Sequence, residues 1–339
     1  MSETANNLPL AGSAIGDSQL GHCWHFDALS DDSREAVVVT FNESYVFSPR
    51  FFRASRHDGT APGKRFPAVS FTYLVDGVIV LRAVNELHAD EFEHKPGQCT
   101  IGKSSFERTS AAYGSGFMLH IELLTATKCR LEADLEWVTI ETEDLRSEGT
   151  QNYRTVVVPR SDVSGRIIRI GRRGSTQKVF NFRGTGYHDH VQGCRSVENA
   201  ASRVFGRAHF IDATAIFECQ GGDPPESRVV ICRDGMLTER TARMESQNYR
   251  RDRYGLSIPR RLSFVTDENP RVRVKPLTAI ESGFFKKTMT SEITLMLRDG
   301  KPRKTTGIVE FTSPTRIKHV LFRWLSDLRI GKNGRRPLF

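Results

Sequence analysis

Paired β-rich runs joined by Asp-Gly set the limits on what this chain can fold into. Residues 69–75 (Val-Ser-Phe-Thr-Tyr-Leu-Val) lead through Asp76-Gly77 into residues 78–84 (Val-Ile-Val-Leu-Arg-Ala-Val). A two-residue loop of this kind needs positive φ at both central positions, and its twist matches that of paired strands. The same punctuation recurs at Asp234-Gly235, between runs at 228–232 and 237–244, and at Asp299-Gly300. Further strand-like runs lie at 36–41, 117–124, 131–140, 167–170, 179–182, 208–213, 214–219, 256–265, 271–275, 291–297 and 307–311. In one of them Leu131, Ala133, Leu135 and Trp137 alternate with Glu132, Asp134 and Glu136, the period of a half-buried strand. A helical pattern stands out near the end, where Ile317, Val320, Leu321, Trp324, Leu325 and Leu328 recur at spacings of three and four after Pro314. The pattern predicts an all-β protein of barrels or sandwiches with one short C-terminal helix. The helix is expected to pack on a barrel. Arg316, Lys318, Arg323 and Arg329 lie off its apolar stripe, so docking to a membrane surface is the competing reading.

The two halves share this alternation, and Pro159 and Gly165 punctuate the chain between them. A boundary is therefore placed near 161–165. The expected organisation is a flexible tail over 1–33, a β domain over 34–160, a second β domain over 161–330, and a basic tail over 331–339. A chain of 339 residues is long enough for two cores. No apolar run approaches the roughly 20 residues that span a bilayer. The start lacks the basic and apolar stretches of a secretory signal, so a cytoplasmic protein is expected. The six cysteines are scattered without a CxxC, which disfavours zinc-ribbon and redox-motif spacings. The net charge of +9 fits a solvated basic face, or peripheral membrane contact through the basic C-terminal region. No helix-turn-helix, zinc finger or aromatic RNA-binding motif is present, so no specific nucleic-acid partner is expected. No dinucleotide fingerprint follows a strand and opens a helix, so no cofactor is expected.

Residues 179–193 carry the chemistry. Tyr187, His188, Asp189 and His190 are consecutive. In an extended strand His188 and His190 project to one face, Tyr187 and Asp189 to the other. Such groups are costly to bury and add little packing, which favours a functional role. Structural readings stand beside it. Asp189 could pair with Arg183 or Arg207 and lock two strands, and Tyr187 could cap a barrel end. The His-x-His pair could bind zinc with His209 or Glu198 as third ligand, though buried hydrogen bonding is the commoner use. Gly184, Gly186 and Gly193 serve backbone geometry. His120 and Glu86 are candidate cavity residues.

Gly186-Tyr187-His188-Asp189-His190 with Gly193 resembles the Gly-Tyr-His-Asp-His-Asn-Trp-Gly signature of the carotenoid 1,2-hydratase (hydroxyneurosporene synthase) family and its AttH-like relatives. Val191-Gln192 stands in place of the Asn-Trp. Pro159-Arg160, residues 163–167, Phe205-Gly206-Arg207-Ala208-His209, residues 307–311 and the first hairpin resemble other segments of that family. The resemblance implies two consecutive lipocalin-like β-barrel domains that handle apolar, mainly isoprenoid, molecules. It implies hydration of an alkene, with cyclisation or isomerisation of a polyene as the alternative.

Alkene hydration needs a strong proton donor in a dry place, and a buried carboxylic acid can supply one. Asp189 is the expected general acid. Tyr187 would hold it or stabilise a cation, and His188 and His190 would relay a proton or position water. Gln192, Arg183, Phe205, His209 and His120 are candidate substrate contacts. A non-catalytic carrier of a lipid or isoprenoid and a basic surface-binding protein remain the other readings.

Overall fold

The computed structural model describes residues 21–57, 65–111, 114–127, 129–139, 154–171, 173–192, 202–298 and 300–338. Two antiparallel sheets dominate it. The first contains β1 (His22–Ser30), β2 (Glu35–Asn42), β3 (Ala68–Val75), β4 (Val78–Glu86), β5 (Phe92–Lys95), β6 (Gln98–Ile101), β7 (Ser104–Ala111), β8 (Gly114–Leu124), β9 (Arg130–Thr139), β10 (Arg154–Ile170) and β11 (Thr176–Gln192). The second contains β12 (Arg203–His209), β13 (Thr214–Gln220), β14 (Glu226–Arg233), β15 (Met236–Thr241), β16 (Arg243–Arg251), β17 (Ser257–Val265), β18 (Arg271–Ser282), β19 (Lys286–Met296) and β20 (Pro302–Thr312). A last short strand, β21 (Gly331–Lys332), returns to the first sheet and pairs with β4 in parallel. The helices are α1 (Pro49–His57) and α2 (Val320–Leu328), the latter preceded by a 3₁₀ turn over Pro314–Lys318.

Neighbour order in the first sheet is β21-β4-β3-β2-β1-β11-β10-β9-β8-β7-β6-β5, and in the second β15-β14-β13-β12-β20-β19-β18-β17-β16. Each sheet curls around its own core. Trp24, Phe26, Phe71, Phe106, Phe117 and Trp137 centre the first, and Phe217, Phe264, Val272, Ile293 and Val309 the second. The expected hairpins form. Asp76 and Gly77 have φ of 50° and 77°, and Asp234 and Gly235 have 51° and 74°, the left-handed values a type I′ turn requires. Asp299 lies outside the described residues.

The outer faces of the two sheets meet along a seam. Leu29, Ala36, Val38 and Leu74 of the first pack against Ile280 and Ile308 of the second, and Tyr187 packs with Phe205, Ile216 and Val230. Ion pairs accompany them. Glu281 binds Lys286 at 3.2 Å and Arg82 at 3.6 Å. Glu218 binds Arg203 at 2.5 Å and Arg228 at 3.2 Å.

The sheets divide the chain elsewhere than the sequence predicted. β10 runs straight through 161–165, and both β10 and β11 belong to the first sheet. Pro159 falls where the β10–β11 register shifts, between Val158 and Ser161, so its missing N–H breaks no ladder bond. Gly165 permits close approach, since a Cβ there would lie 2.1 Å from the Asp134 carbonyl oxygen. Neither residue ends the strand, and the second sheet begins only at Arg203. The Tyr-His-Asp-His segment is thus part of the first barrel. The tail expected over 1–33 is also corrected: His22–Ser30 is a central strand of that barrel, while residues 1–20 lie outside the described residues. The basic tail over 331–339 is corrected likewise, because β21 joins the first sheet and the Leu338 N–H donates to the Leu328 carbonyl at 2.8 Å. The run predicted over 208–213 turns at Phe210, whose N–H donates to the Ala213 carbonyl at 2.7 Å.

Candidate functional site

β11 lies between β1 and β10, with Tyr187 opposite Asp27 and Asp189 opposite His25. Two glycines make that proximity possible. A Cβ on Gly184 would stand 2.0 Å from the Leu29 carbonyl oxygen, and one on Gly186 2.4 Å from Val163 Cγ2. Gly193 lies outside the described residues.

The strand sorts the motif onto two faces. His188 and His190 point into the first barrel. The His188 ring stacks on Phe26 at 3.8 Å and 3° and meets the edge of Phe117 at 4.7 Å. Its Nδ1 donates to the His25 carbonyl at 2.9 Å. Burial drives its pKa down to about 3, so the ring is neutral at neutral pH. His190 stacks on Trp24 at 5.0 Å, and its Nε2 lies 2.9 Å from His22 Nδ1. Burial, with His22 next, brings its pKa down to about 3 as well.

Tyr187 and Asp189 point the other way, into the seam. Both are fully buried. Asp189 Oδ2 accepts from Arg154 Nη1, a cation on β10, and that guanidinium lies 4.0 Å over the Phe205 ring. The other carboxylate oxygen, Oδ1, has no hydrogen-bond partner among the described residues, and neither has the Tyr187 hydroxyl. Burial pushes the Tyr187 phenol well above its ordinary range, and the neighbouring Asp189 charge adds to this. The hydroxyl is therefore close enough to feel the carboxylate, without a hydrogen bond of good geometry between them.

A second acid–cation set adjoins the first. Asp27 is ion-paired with Arg207 and lies 2.7 Å from His25 Nε2. Burial acts to raise its pKa, but Arg207 and His25 outweigh it and the net displacement is downward. The Arg207 guanidinium also lies 5.4 Å from the Tyr187 ring, so one face of that ring already holds a cation.

The candidate residues are only partly brought together. Tyr187, Asp189 and Phe205 meet in the seam. His209 is on the seam side of β12, where Nδ1 is 3.0 Å from Thr214 Oγ1 and burial lowers its pKa to about 4. It thus lies across β11 from His188 and His190 and cannot complete a zinc site with them. Glu198 lies outside the described residues. Among those residues, no group of three or more His, Cys, Asp or Glu is placed to hold a metal ion. Arg183 and Gln192 are exposed, and the cation on Asp189 is Arg154 instead of Arg183 or Arg207. His120 is exposed on the first barrel's exterior, 2.7 Å from Asp134, because its strand parity points outward. Glu86, the last residue of β4, is buried at 2.9 Å from Arg50 of α1. The sequence reading missed His25, Asp27 and Arg154. Residues 22–30 carried a signal for two of them: His25 and Asp27 alternate with Trp24, Phe26 and Ala28.

The histidines make stability pH-dependent. Unfolded histidine titrates near 6.5, whereas folded His188 stays unprotonated down to about 3. Between those values the unfolded state binds more protons, so stability falls as pH falls. The loss from His188 alone is about 2 kcal/mol at pH 5. Urea midpoints measured from pH 7 to pH 4 should decline steeply, and less steeply in His188→Asn. Equal slopes would refute the assignment.

The fold and seam define a double lipocalin-like β-barrel protein. No family model matches the chain. It is 22% identical, over 92% of its length and 87% of the relative's, to hydroxyneurosporene dehydrogenase of Chlorobaculum tepidum. Among solved structures it resembles the AttH-like protein NE1406 of Nitrosomonas europaea, with TM-score 0.61 and 14% identity over 91% of this chain and 99% of that one. It also resembles CghA bound to Sch210972, with TM-score 0.54 and 11% identity over 87% of this chain and 89% of that one. These likenesses fit the carotenoid 1,2-hydratase/AttH-like family.

Proposed function

We propose that the protein is a hydratase-type enzyme acting on an apolar alkene of the isoprenoid class, with the reaction in the seam between the barrels. One observation carries this reading. Asp189 Oδ1 and the Tyr187 hydroxyl are neighbouring buried oxygen atoms for which the described residues supply no hydrogen bond of good geometry, and they are set beside Phe205, Ile216 and Val230. Buried polar atoms are nearly always hydrogen-bonded, and exceptions concentrate where chemistry is done.

Asp189, with Oδ2 held by Arg154, serves as the acid through Oδ1 once that oxygen has taken up a proton from water. The proton passes to one alkene carbon and the other becomes a tertiary cation. Water adds to that cation, and the proton it sheds returns to the carboxylate, so the acid is regenerated. The protonated Tyr187 phenol orients Oδ1 or the incoming water. His188 and His190 are separated from these groups by the strand backbone and are neutral at neutral pH; their part is to close and rigidify the first barrel.

The Arg154 pairing favours a second reading, in which the carboxylate is structural and the protein only carries its ligand. Cellular apolar lipids incubated with the protein in ¹⁸O-labelled water separate the possibilities. A labelled hydrate is the expected product. An isomer of unchanged mass would mean cyclisation or isomerisation by the same acid, and no change at all would leave the carrier.

A further inference from the structure

We propose that α2 and its surroundings dock the protein on an anionic bilayer surface. The apolar stripe read from the sequence does not all pack inward. Ile317, Phe322 and Leu325 join Phe51, Phe52, Phe66, Phe284 and Phe285 in an aromatic cap. Val320, Leu321 and Trp324 are 70%, 60% and 58% exposed. They stand at i, i+1 and i+4, on one helix face. A contiguous apolar face of this kind on a protein surface marks an interaction site.

The rim identifies the occupant. Lys318 and His319 precede the helix and are exposed, as is Arg53 on α1. Arg323 lies 4.5 Å over the Phe52 ring. The acid within α2, Asp327, is ion-paired with Lys332. An apolar centre with a cationic rim matches acyl chains beneath anionic headgroups, and an indole prefers that boundary. A second copy would set the same cations against one another. The contact is peripheral, since no helix among the described residues is long and apolar enough to cross a membrane.

Register places the patch usefully. Gln192, His22, Asn42, Ala68 and Glu86 end their strands at one edge of the first sheet, and the cap covers that edge through α1, α2 and β21. Asp189 is three residues in, about 10 Å along the strand. Docking stands on the patch alone, whatever happens at Asp189. For a bilayer-dissolved substrate it would turn the near end of the seam toward the substrate's reservoir.

The test uses the full chain with vesicles of phosphatidylcholine alone or mixed with phosphatidylglycerol. Trp24 and Trp137 are 4% and 0% exposed, so a change in emission reports Trp324. Sedimentation with the mixed vesicles and a blue shift are expected. Leu321→Ser/Trp324→Ser should weaken binding about tenfold or more, and Lys318→Gln about fivefold at low salt. Circular dichroism checks that each variant is folded. Three results would overturn the proposal: wild type remaining in solution at low salt, undiminished binding by the double variant, or a wild-type dimer that the double variant dissociates.

Discussion

Asp189→Asn lowers product formation by about 10²–10⁴-fold, the span over which positioned acids contribute. Asn keeps the volume and can still accept from Arg154, but it cannot deliver a proton from Oδ1. Stability falls too, because Arg154 retains its charge beside a neutral partner. Rates must therefore be compared at a temperature where both proteins are folded. Tyr187→Phe supplies the cleaner contrast. It deletes a buried hydroxyl that makes no hydrogen bond of good geometry among the described residues, so stability should change by less than about 1 kcal/mol. If Tyr187 orients the reacting groups, turnover should still drop by an order of magnitude or more. Full turnover in folded Asp189→Asn, measured by the same product assay, would remove Asp189 from the reaction.

Arg207→Met destabilises the fold by about 3–5 kcal/mol, the usual cost of leaving a buried charge without its partner. Arg207 and Asp27 are each 2% exposed. The substitution leaves the Asp27 carboxylate with His25 as its remaining partner among the described residues. Adding Asp27→Asn to Arg207→Met should restore part of the loss, because the orphaned charge goes with it. A thermodynamic cycle over the four proteins should give a coupling of about 1–3 kcal/mol. Additive losses in denaturant titrations would show that the pair is incidental to how the barrels meet.

The parts of the fold legible in the sequence were those fixed locally. Asp76-Gly77 and Asp234-Gly235 announced hairpins because the left-handed backbone they adopt is a property of two residues. The alternation at 131–137 showed a strand because one face meets the core. The boundary was not legible, because Pro159 at a register shift and Gly165 under a crossing backbone look in sequence like chain breakers. The α1 helix escaped for a similar reason. Its Phe51 and Phe52 are buried against α2 and the β18–β19 turn, partners more than 200 residues away.

The site was half legible. Four adjacent titratable residues drew the eye to β11, and strand parity divided them correctly between two faces. Which neighbours each face meets depends on register and on the meeting of two sheets. Arg154 reaches Asp189 from across a ladder, and Arg207 reaches Asp27 from the other barrel. Arg154 has no local pattern that distinguishes it from the other arginines of a basic chain, while Arg207 stood out in its Phe-Gly-Arg segment but with Asp189, not Asp27, as the expected partner.

The pairing of β1 with β11 has a consequence for synthesis. His25 meets His188 across 163 residues of chain, which a ribosome takes roughly 10–30 s to add. Through that interval β1 has β2 on one side and an open edge on the other. The first barrel closes only after most of its own sequence has emerged, and β21 is laid down after the entire second barrel. The molecule is thus made as one interlocked unit, and a nascent chain halted anywhere before β11 carries Trp24, Phe26 and Asp27 on a strand with half its ladder missing.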